Sequence, residues 1–149
     1  MNEFKPFNDK LAGLIGALSP AAQRWLASDI AKELRRSQQQ RIKQQKAPDG
    51  IPYQERKRQP LRAKKGRIKR AMFQKLRTSR YLKASGRNDA AVVEFTGKVQ
   101  RIARVHQHGL RDQPNPHAHE IQYPERQLLG FSQQDKKLVD SLTIAHFKN

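Results

Sequence analysis

The sequence contains no cysteine and few aromatic or acidic residues. Without cysteine the chain can form no disulfide framework, thiolate zinc site or cysteine nucleophile, which is typical of folding in a reducing cytoplasm. Aromatic residues make up 7% of the chain, and only 13 of its 149 residues are acidic. No apolar run reaches the roughly 18 to 20 residues that cross a bilayer, and the N-terminus lacks the apolar core of a signal peptide. The sequence therefore predicts neither a membrane protein nor a secreted one.

Basic residues are abundant, and they concentrate in the middle of the chain. Lys and Arg number 31, which gives a formal net charge of +18 and a pI near 10.9. Between Arg35 and Arg87 there are 19 cations and only two acids, so this stretch alone carries +17. Such charge must be relieved by water, counterions or a polyanion. The candidate polyanion contacts are Arg56, Lys57, Arg58, Arg62, Lys64, Lys65, Arg67, Lys69 and Arg70.

A length of 149 residues predicts a single domain over 1–149. Within it, apolar spacing predicts two helices in the first third of the chain. Apolar residues recur at helical spacing over 7–18 and predict the first helix. Ser19 followed by Pro20 predicts the start of a second, because Ser can cap free amides and Pro is tolerated at the first helical position. Its apolar stripe includes Trp25. The glutamine-rich tract 37–45 is interpreted as a solvated helix end.

The next segment is marked by turn residues and by charge. Pro48, Asp49 and Gly50 predict a turn, because Pro fixes its own φ, Asp can bond nearby amides and Gly accepts a positive φ. Beyond the turn, two more prolines and a dense run of cations predict an extended, mobile basic loop over 48–70. A loose apolar pattern from Ala71 predicts a third helix that ends near Gly86.

The remainder of the chain predicts a mixture of strands and helices. A β-rich run over 90–96 predicts a strand, and helical spacing predicts a short helix over 98–106 that ends at Gly109. Alternation over 120–123 predicts a half-buried strand. Ser132 begins a capping-box pattern and predicts a last helix. Its predicted buried stripe is Leu138, Val139, Leu142 and Ala145.

Together these elements predict an α+β fold. N-terminal helices occupy 1–47, the basic loop follows over 48–70, and 71–149 forms an α+β part with a small, mostly antiparallel sheet and a C-terminal helix.

The sequence offers little support for catalysis. Four of its five histidines form two His-x-His pairs, but no acid follows at a spacing that completes a metal motif, so we expect no metal, cofactor or catalytic residue. His106 lies on the apolar stripe of its predicted helix, which indicates a packed, hydrogen-bonded histidine. Neither a Gly-x-Ser-x-Gly motif nor a phosphate loop is present. From the residues alone, two alternatives stay open: a nonspecific nucleic-acid-binding protein, and a small metal-free nuclease that uses His with Arg or Lys.

Three short motifs point to a particular family. The first is Pro-Asp-Gly-Ile-Pro-Tyr over 48–53, the second is Val-His-Gln-His-Gly over 105–109, and the third is Glu-Arg-Gln-Leu-Leu-Gly-Phe-Ser over 125–132. In this order and spacing they resemble the phage virion morphogenesis family, the tail completion proteins of contractile-tailed phages. The matching residues are Pro48, Asp49, Gly50, Pro52, Tyr53, His106, Gln107, Gly109, Arg126, Leu128, Leu129 and Gly130.

The resemblance implies a structural protein that completes the head-proximal end of the tail and so enables head–tail joining. It implies no enzymatic activity, other tail and neck proteins as partners, and a homo-oligomeric ring of about six copies. It places the protein in the host cytoplasm during assembly and in the tail or neck of the virion. The motif residues are then structural or assembly residues: Gly109 and Gly130 for tight turns, and Arg126 for binding carbonyls or an acid of a neighbouring subunit. The basic loop could line a DNA channel or meet an acidic neighbour.

Overall fold

The computed structural model of the chain describes residues 5–56, 71–87 and 90–148. Within these ranges there are four helices and two small sheets, which confirms the predicted α+β class. The helices are α1 (Lys5–Gly16), α2 (Pro20–Lys43), α3 (Gln100–His108) and α4 (Gln133–Lys148). The strands are β1 (Leu82–Gly86), β2 (Ala91–Phe95), β3 (Arg111–Asp112) and β4 (Ile121–Gln122).

The chain divides into two compact units. The first contains Met1–Arg35, Ala84–Glu94 and Gln133–Asn149, and the second contains Arg36–Lys83 and Phe95–Ser132. The single-domain organisation stays a prediction. Most of the predicted basic loop, at 57–70, lies outside the described residues.

In the first unit, α2 begins where Ser19 and Pro20 predict it. The Ser19 hydroxyl accepts a hydrogen bond from the Ala22 N–H at 3.2 Å, which confirms the predicted cap. Gln23 donates from Nε2 to the Ile15 carbonyl at 3.1 Å and to the Leu18 carbonyl at 3.2 Å. Ile15 belongs to the last turn of α1 and Leu18 to the link between the two helices, so Gln23 ties the first turn of α2 to the chain that precedes it.

The predicted stripe of α2 is only partly right. Leu26 and Leu34 are buried, but Trp25 is 69% exposed and its ring meets the edge of His146 at 6.0 Å between centroids. His146 in turn bonds through Nε2 to the Asp29 carboxylate at 3.0 Å. The prediction of a buried Trp25 is therefore wrong, because its ring contacts the polar side chain of His146 and most of its surface stays exposed.

The last helix forms as predicted, but with a different buried face. Asp135 and Thr143 are buried in α4, whereas Ala145, predicted to be buried, is exposed. Thr143 can occupy an interior position because its hydroxyl donates to the Val139 carbonyl at 2.8 Å, one helical turn back.

The prediction of a third helix between Ala71 and Gly86 is wrong. Residues 72–81 form a series of turns, with Phe73 at a φ of +66°, and 82–86 form strand β1. Burial in this strand alternates from residue to residue, which is the period of a strand. The Tyr81 carbonyl accepts a hydrogen bond from the Thr96 N–H at 2.8 Å, and the Arg87 N–H donates to the Ala90 carbonyl at 2.8 Å. Strands β1 and β2 therefore pair as an antiparallel hairpin.

In the second unit, α3 ends as predicted at Gly109, which adopts a left-handed conformation. The short strands β3 and β4 follow and pair antiparallel, with Arg111 opposite Gln122 and Asp112 opposite Ile121. The predicted strand over 120–123 forms only at Ile121–Gln122, and both of these residues are exposed, whereas Tyr123 is partly buried. The polar end of α2 also differs from expectation: Gln38 is only 4% exposed and Ile42 is fully buried. One face of the 37–45 tract is therefore packed, whereas Gln40, Lys43 and Gln44 are exposed.

Candidate functional site

The three motifs that carry the resemblance meet in the second unit, where they form one hydrogen-bonded cluster. The first motif is a tight turn. The Gly50 N–H donates to the Ala47 carbonyl at 2.8 Å, and Gly50 has a φ of +87°. The Asp49 carboxylate accepts from the Ile51 N–H at 3.0 Å. These bonds confirm the predicted Pro-Asp-Gly turn and its mechanism.

The turn places Tyr53 beside the third motif. Tyr53 is buried, and its hydroxyl donates to the Gln127 carbonyl at 2.7 Å. Arg41 of α2 lies beside it, with Nη1 3.4 Å from the Tyr53 oxygen and 3.0 Å from the Lys46 carbonyl. Burial raises the pKa of the Tyr53 hydroxyl, and this effect outweighs the opposing influence of the Arg41 charge. Tyr53 is therefore a neutral hydrogen-bond donor at physiological pH.

The end of α2 supplies two further side chains to the cluster. Arg41 donates from Nη2 to the Leu128 carbonyl at 2.7 Å and also to Oε1 of Gln38. The same Gln38 oxygen accepts from the Gly130 N–H at 3.1 Å. A segment without regular secondary structure, 126–130, thus has its backbone groups paired by helix side chains.

Gln107 of the second motif holds the same segment from the other side. Its Oε1 accepts from the N–H groups of Leu128 and Leu129, both at 2.9 Å, and its Nε2 donates to the Leu129 carbonyl at 2.9 Å. One amide side chain therefore pairs three backbone groups beside the fully buried Leu128.

Glycine is required at two positions of the cluster. A Cβ on Gly130 would lie 2.8 Å from Nε2 of Gln127 and 2.9 Å from Cβ of Pro48, with a still closer approach to the Pro48 ring. Gly109 has a φ of +62°, and a Cβ there would lie 2.8 Å from the Glu125 nitrogen. The left-handed backbone of Gly109 agrees with the predicted tight turn, whereas Gly130 has no positive φ and is needed because Pro48 and Gln127 approach it closely.

Arg126 joins the third motif to the chain that follows the turn. It is buried, and it donates from Nε to the Gln54 carbonyl at 2.8 Å and from Nη2 to the Glu55 carbonyl at 3.2 Å. Both acceptors are carbonyls of the chain itself, and the binding of an acid of a neighbouring subunit stays a prediction. Burial lowers the pKa of Arg126, and the nearby charge of Arg56 lowers it further.

His106 is part of an aromatic row. Its ring packs against Phe73 at 4.9 Å and Tyr123 at 5.1 Å between centroids, and Phe73 packs against Tyr53 at 5.7 Å. The prediction of a packed histidine is confirmed, but its buried Nδ1 has no hydrogen-bond partner among the described residues. Burial, assisted by the Arg126 charge, lowers the pKa of His106 to about 4. The imidazole is therefore neutral near pH 7.

The sequence did not indicate Gln38 or Arg41 as members of this cluster. Their signal was present: Leu34, Gln38 and Ile42 follow one another at four-residue spacing, which continues the buried face of α2. The polar character of the tract obscured this spacing.

Among the predicted polyanion contacts, only Arg56 lies within the described residues, where it is exposed. The other eight lie outside them: Lys57, Arg58, Arg62, Lys64, Lys65, Arg67, Lys69 and Arg70. In the described part of the chain, no group of three His, Asp or Glu side chains is arranged to hold a metal ion. No helix in that part is long and apolar enough to span a membrane.

Comparison with known proteins assigns the family. The model of the phage virion morphogenesis family matches residues 2–148. The chain is also 48% identical over 149 residues to Tail completion protein S of Escherichia phage P2, and the alignment covers 99% of each chain. No solved structure matches it. The chain belongs to the phage virion morphogenesis family, which confirms the resemblance that the three motifs carry.

Proposed function

We propose that this protein is a structural tail completion protein, which finishes the head-proximal end of a phage tail and so enables head–tail joining. The observation that carries the proposal is the nearly full-length likeness to a tail completion protein at 48% identity. The geometry supports it, since the motifs shared with the family build a buried hydrogen-bonded cluster. Gln107 and Arg126 use their donors and acceptors on backbone groups of the chain itself.

A non-enzymatic role is supported by the state of His106. A general acid–base histidine works best with a pKa near the operating pH, whereas the pKa of His106 is about 4 and its ring is packed between Phe73 and Tyr123. These properties favour assembly over the nuclease alternative.

The partners in this proposal are other tail and neck proteins, and the assembly is a ring of about six copies in the tail or neck of the virion. Assembly takes place in the host cytoplasm. Heterologous contacts repeated around an axis close into a ring, and six chains of 17.2 kDa give about 100 kDa. Light scattering of nuclease-treated protein at low and high salt measures this mass directly. A monomer at both salt concentrations contradicts ring formation without a tail template.

The predicted basic loop over 48–70, called the basic segment here, is proposed to contact DNA in the channel or an acidic neighbouring protein. We expect replacement of five of its cations by Gln to lower infectious yield, because the substitution removes five of the charges available to a polyanion. The replaced residues are Arg62, Lys64, Lys65, Arg67 and Lys69.

The test uses a phage that lacks its own tail completion gene, complemented with the gene for this chain. Complementation by the unmodified gene tests the proposed function, and free heads and unjoined tails are counted by electron microscopy. The matched control replaces five exposed cations elsewhere, which are Lys32, Arg36, Lys43, Lys98 and Arg104. Equal yields from the two quintuple variants would refute a specific role for the basic segment.

A further inference from the structure

A cavity of about 400 Å³ opens beside the motif cluster in the second unit. Its walls are mainly apolar and include Phe73, Ile121 and Tyr123, and the cationic side chains of Arg56 and Arg126 also line it. No acidic side chain of the described residues does so. The volume falls within the usual range of ligand pockets, about 300–1,000 Å³, and has room for one large side chain and its neighbouring backbone.

The positive charge at this cavity comes from two side chains that line it, Arg56 and Arg126. Arg126 donates to the carbonyls of Gln54 and Glu55, which accept its hydrogen bonds without cancelling its charge. Arg56 is close enough for its charge to lower the pKa of Arg126. His106, which also lines the cavity, is neutral near pH 7 and adds a polar group without adding charge. The lining therefore favours an occupant that combines an apolar side chain with negative charge.

We propose that this cavity binds an acidic peptide segment of another protein, which inserts an apolar side chain between Phe73 and Ile121 and places carboxylates near Arg56 and Arg126. A planar guanidinium suits this role, since it forms directed, charge-assisted hydrogen bonds with carboxylates.

Two other occupants fit less well. Residues 57–70 of the chain carry eight cations and no acid, so they cannot supply the carboxylates. A nucleic acid stacks its bases on open ring faces, whereas Phe73 and Tyr123 each use part of their ring surface in an edge-to-face contact with His106. The complementary ligand is therefore a peptide with acidic and apolar residues.

The identity of the partner as a tail protein rests on the proposed function, whereas the recognition chemistry depends only on the cavity. The two can fail separately. Complementation of the deficient phage reads out the function, and direct titration of the purified full-length protein reads out the peptide site.

The titration uses three probes at about 0.3 M salt, where the Debye length is about 6 Å and nonspecific attraction to the basic chain is reduced. They are the acetylated, amidated pentapeptides Gly-Asp-Phe-Asp-Gly, Gly-Asn-Phe-Asn-Gly and Gly-Asp-Ala-Asp-Gly. Binding is followed by the NMR shifts of the Phe73 and Tyr123 amides and of the Arg126 side-chain N–H. We expect the first peptide to saturate these shifts, and the other two to bind at least about tenfold more weakly, because each lacks one of the two recognition elements.

Variants locate the site. Arg56→Gln is expected to weaken binding of the first peptide by about three- to tenfold, and Ile121→Asp to abolish it by placing a carboxylate in the lining. Both positions are exposed or only partly covered, so both variants are expected to fold. Lys43→Gln removes an exposed cation that does not line the cavity and should leave the affinity unchanged.

The outcomes are separable. Weaker binding of both control peptides, together with sensitivity to Arg56→Gln and Ile121→Asp, supports the peptide site. Equal binding of the Asp-Phe-Asp and Asp-Ala-Asp peptides would show attraction by charge alone and overturn it, as would shifts confined to residues outside the cavity. Displacement of the peptide by an eight-residue oligothymidine that shifts the same cavity resonances more strongly would reassign the cavity to nucleic acid.

Discussion

Gln107→Ala tests whether one amide side chain holds the 126–130 segment in place. The substitution removes two acceptor contacts, to the N–H groups of Leu128 and Leu129, and one donor contact, to the Leu129 carbonyl. A typical intramolecular hydrogen bond contributes about 1 kcal/mol net, and a buried group left unpaired costs about 1–3 kcal/mol. We therefore expect the free energy of unfolding to fall by about 3 kcal/mol, out of a total of about 5–15 kcal/mol for an ordinary domain.

Two measurements check this value. Urea unfolding followed by circular dichroism gives the free energy, and thermal unfolding should show a decrease in Tm of about 6–12 °C. Amide hydrogen exchange at Leu128 and Leu129 gives a local value, because these two N–H groups lose their acceptor. Gln107→Glu keeps the acceptor but loses the donor, so it should fall between the wild type and Gln107→Ala.

The matched control is Gln40→Ala, the same chemical change at an exposed position of α2. It should change the free energy of unfolding by less than about 0.5 kcal/mol. A loss below about 1 kcal/mol for Gln107→Ala, with unchanged exchange at Leu128 and Leu129, would refute the argument that Gln107 holds this segment.

Two further predictions concern the same unit. Gly130→Ala should lower the free energy of unfolding by about 1–3 kcal/mol, because its Cβ would press on Pro48. Adding Pro48→Ala should recover part of the lost free energy of unfolding, as measured by urea unfolding. Gly97→Ala is the control: its Cβ would have nothing within 4 Å, so the free energy of unfolding should fall much less. The pKa of His106 is about 4 when folded and near 6.5 when unfolded, so protonation favours the unfolded state. The stability that His106 contributes is fully present above pH 6.5 and is lost as the pH falls towards 4. Between these pH values, the free energy of unfolding of His106→Phe should therefore decrease less than that of the wild type.

An additive loss in the Gly130→Ala, Pro48→Ala double variant would contradict the proposed contact. For His106→Phe, a pH dependence equal to that of the wild type would contradict the assignment of a buried, neutral imidazole. The other four histidines are present in both proteins, so the comparison isolates His106.

Local signals predicted local structure well in this chain. Ser19 caps α2, the Asp49 and Gly50 turn forms by the expected bonds, and Gly109 ends α3. Each of these features depends on a few adjacent residues, whose backbone preferences are nearly the same in any protein. The convergence of the three motifs could not be predicted in this way, since no spacing along the sequence indicates which distant backbone groups Gln107 and Arg126 will pair with.

The errors arose where distant contacts overrule local preference. The segment from Ala71 contains residues that favour a helix, but Phe73 adopts a positive φ and places its ring between Tyr53 and His106. The glutamines and cations of the 37–45 tract predict a solvated helix end, whereas the Gly130 N–H donates to the buried oxygen of Gln38. The partners of Phe73 lie 20 and 33 residues away in sequence, and Gly130 lies 92 residues from Gln38.

The pairing between α2 and the 126–130 segment has a consequence for synthesis on the ribosome. Arg41 leaves the peptidyl-transferase centre 87 residues before its partner Leu128, a delay of roughly 4 to 17 s at 5–20 residues per second. During that interval the end of α2 has to remain in water without its final partners. Gln38 and Arg41, which later contact the 126–130 segment, keep the nascent helix hydrated, whereas leucine at these positions would expose apolar surface. The polar residues that make this part of α2 look like a surface in the sequence thus add no apolar area at these contact points before the third motif has been made.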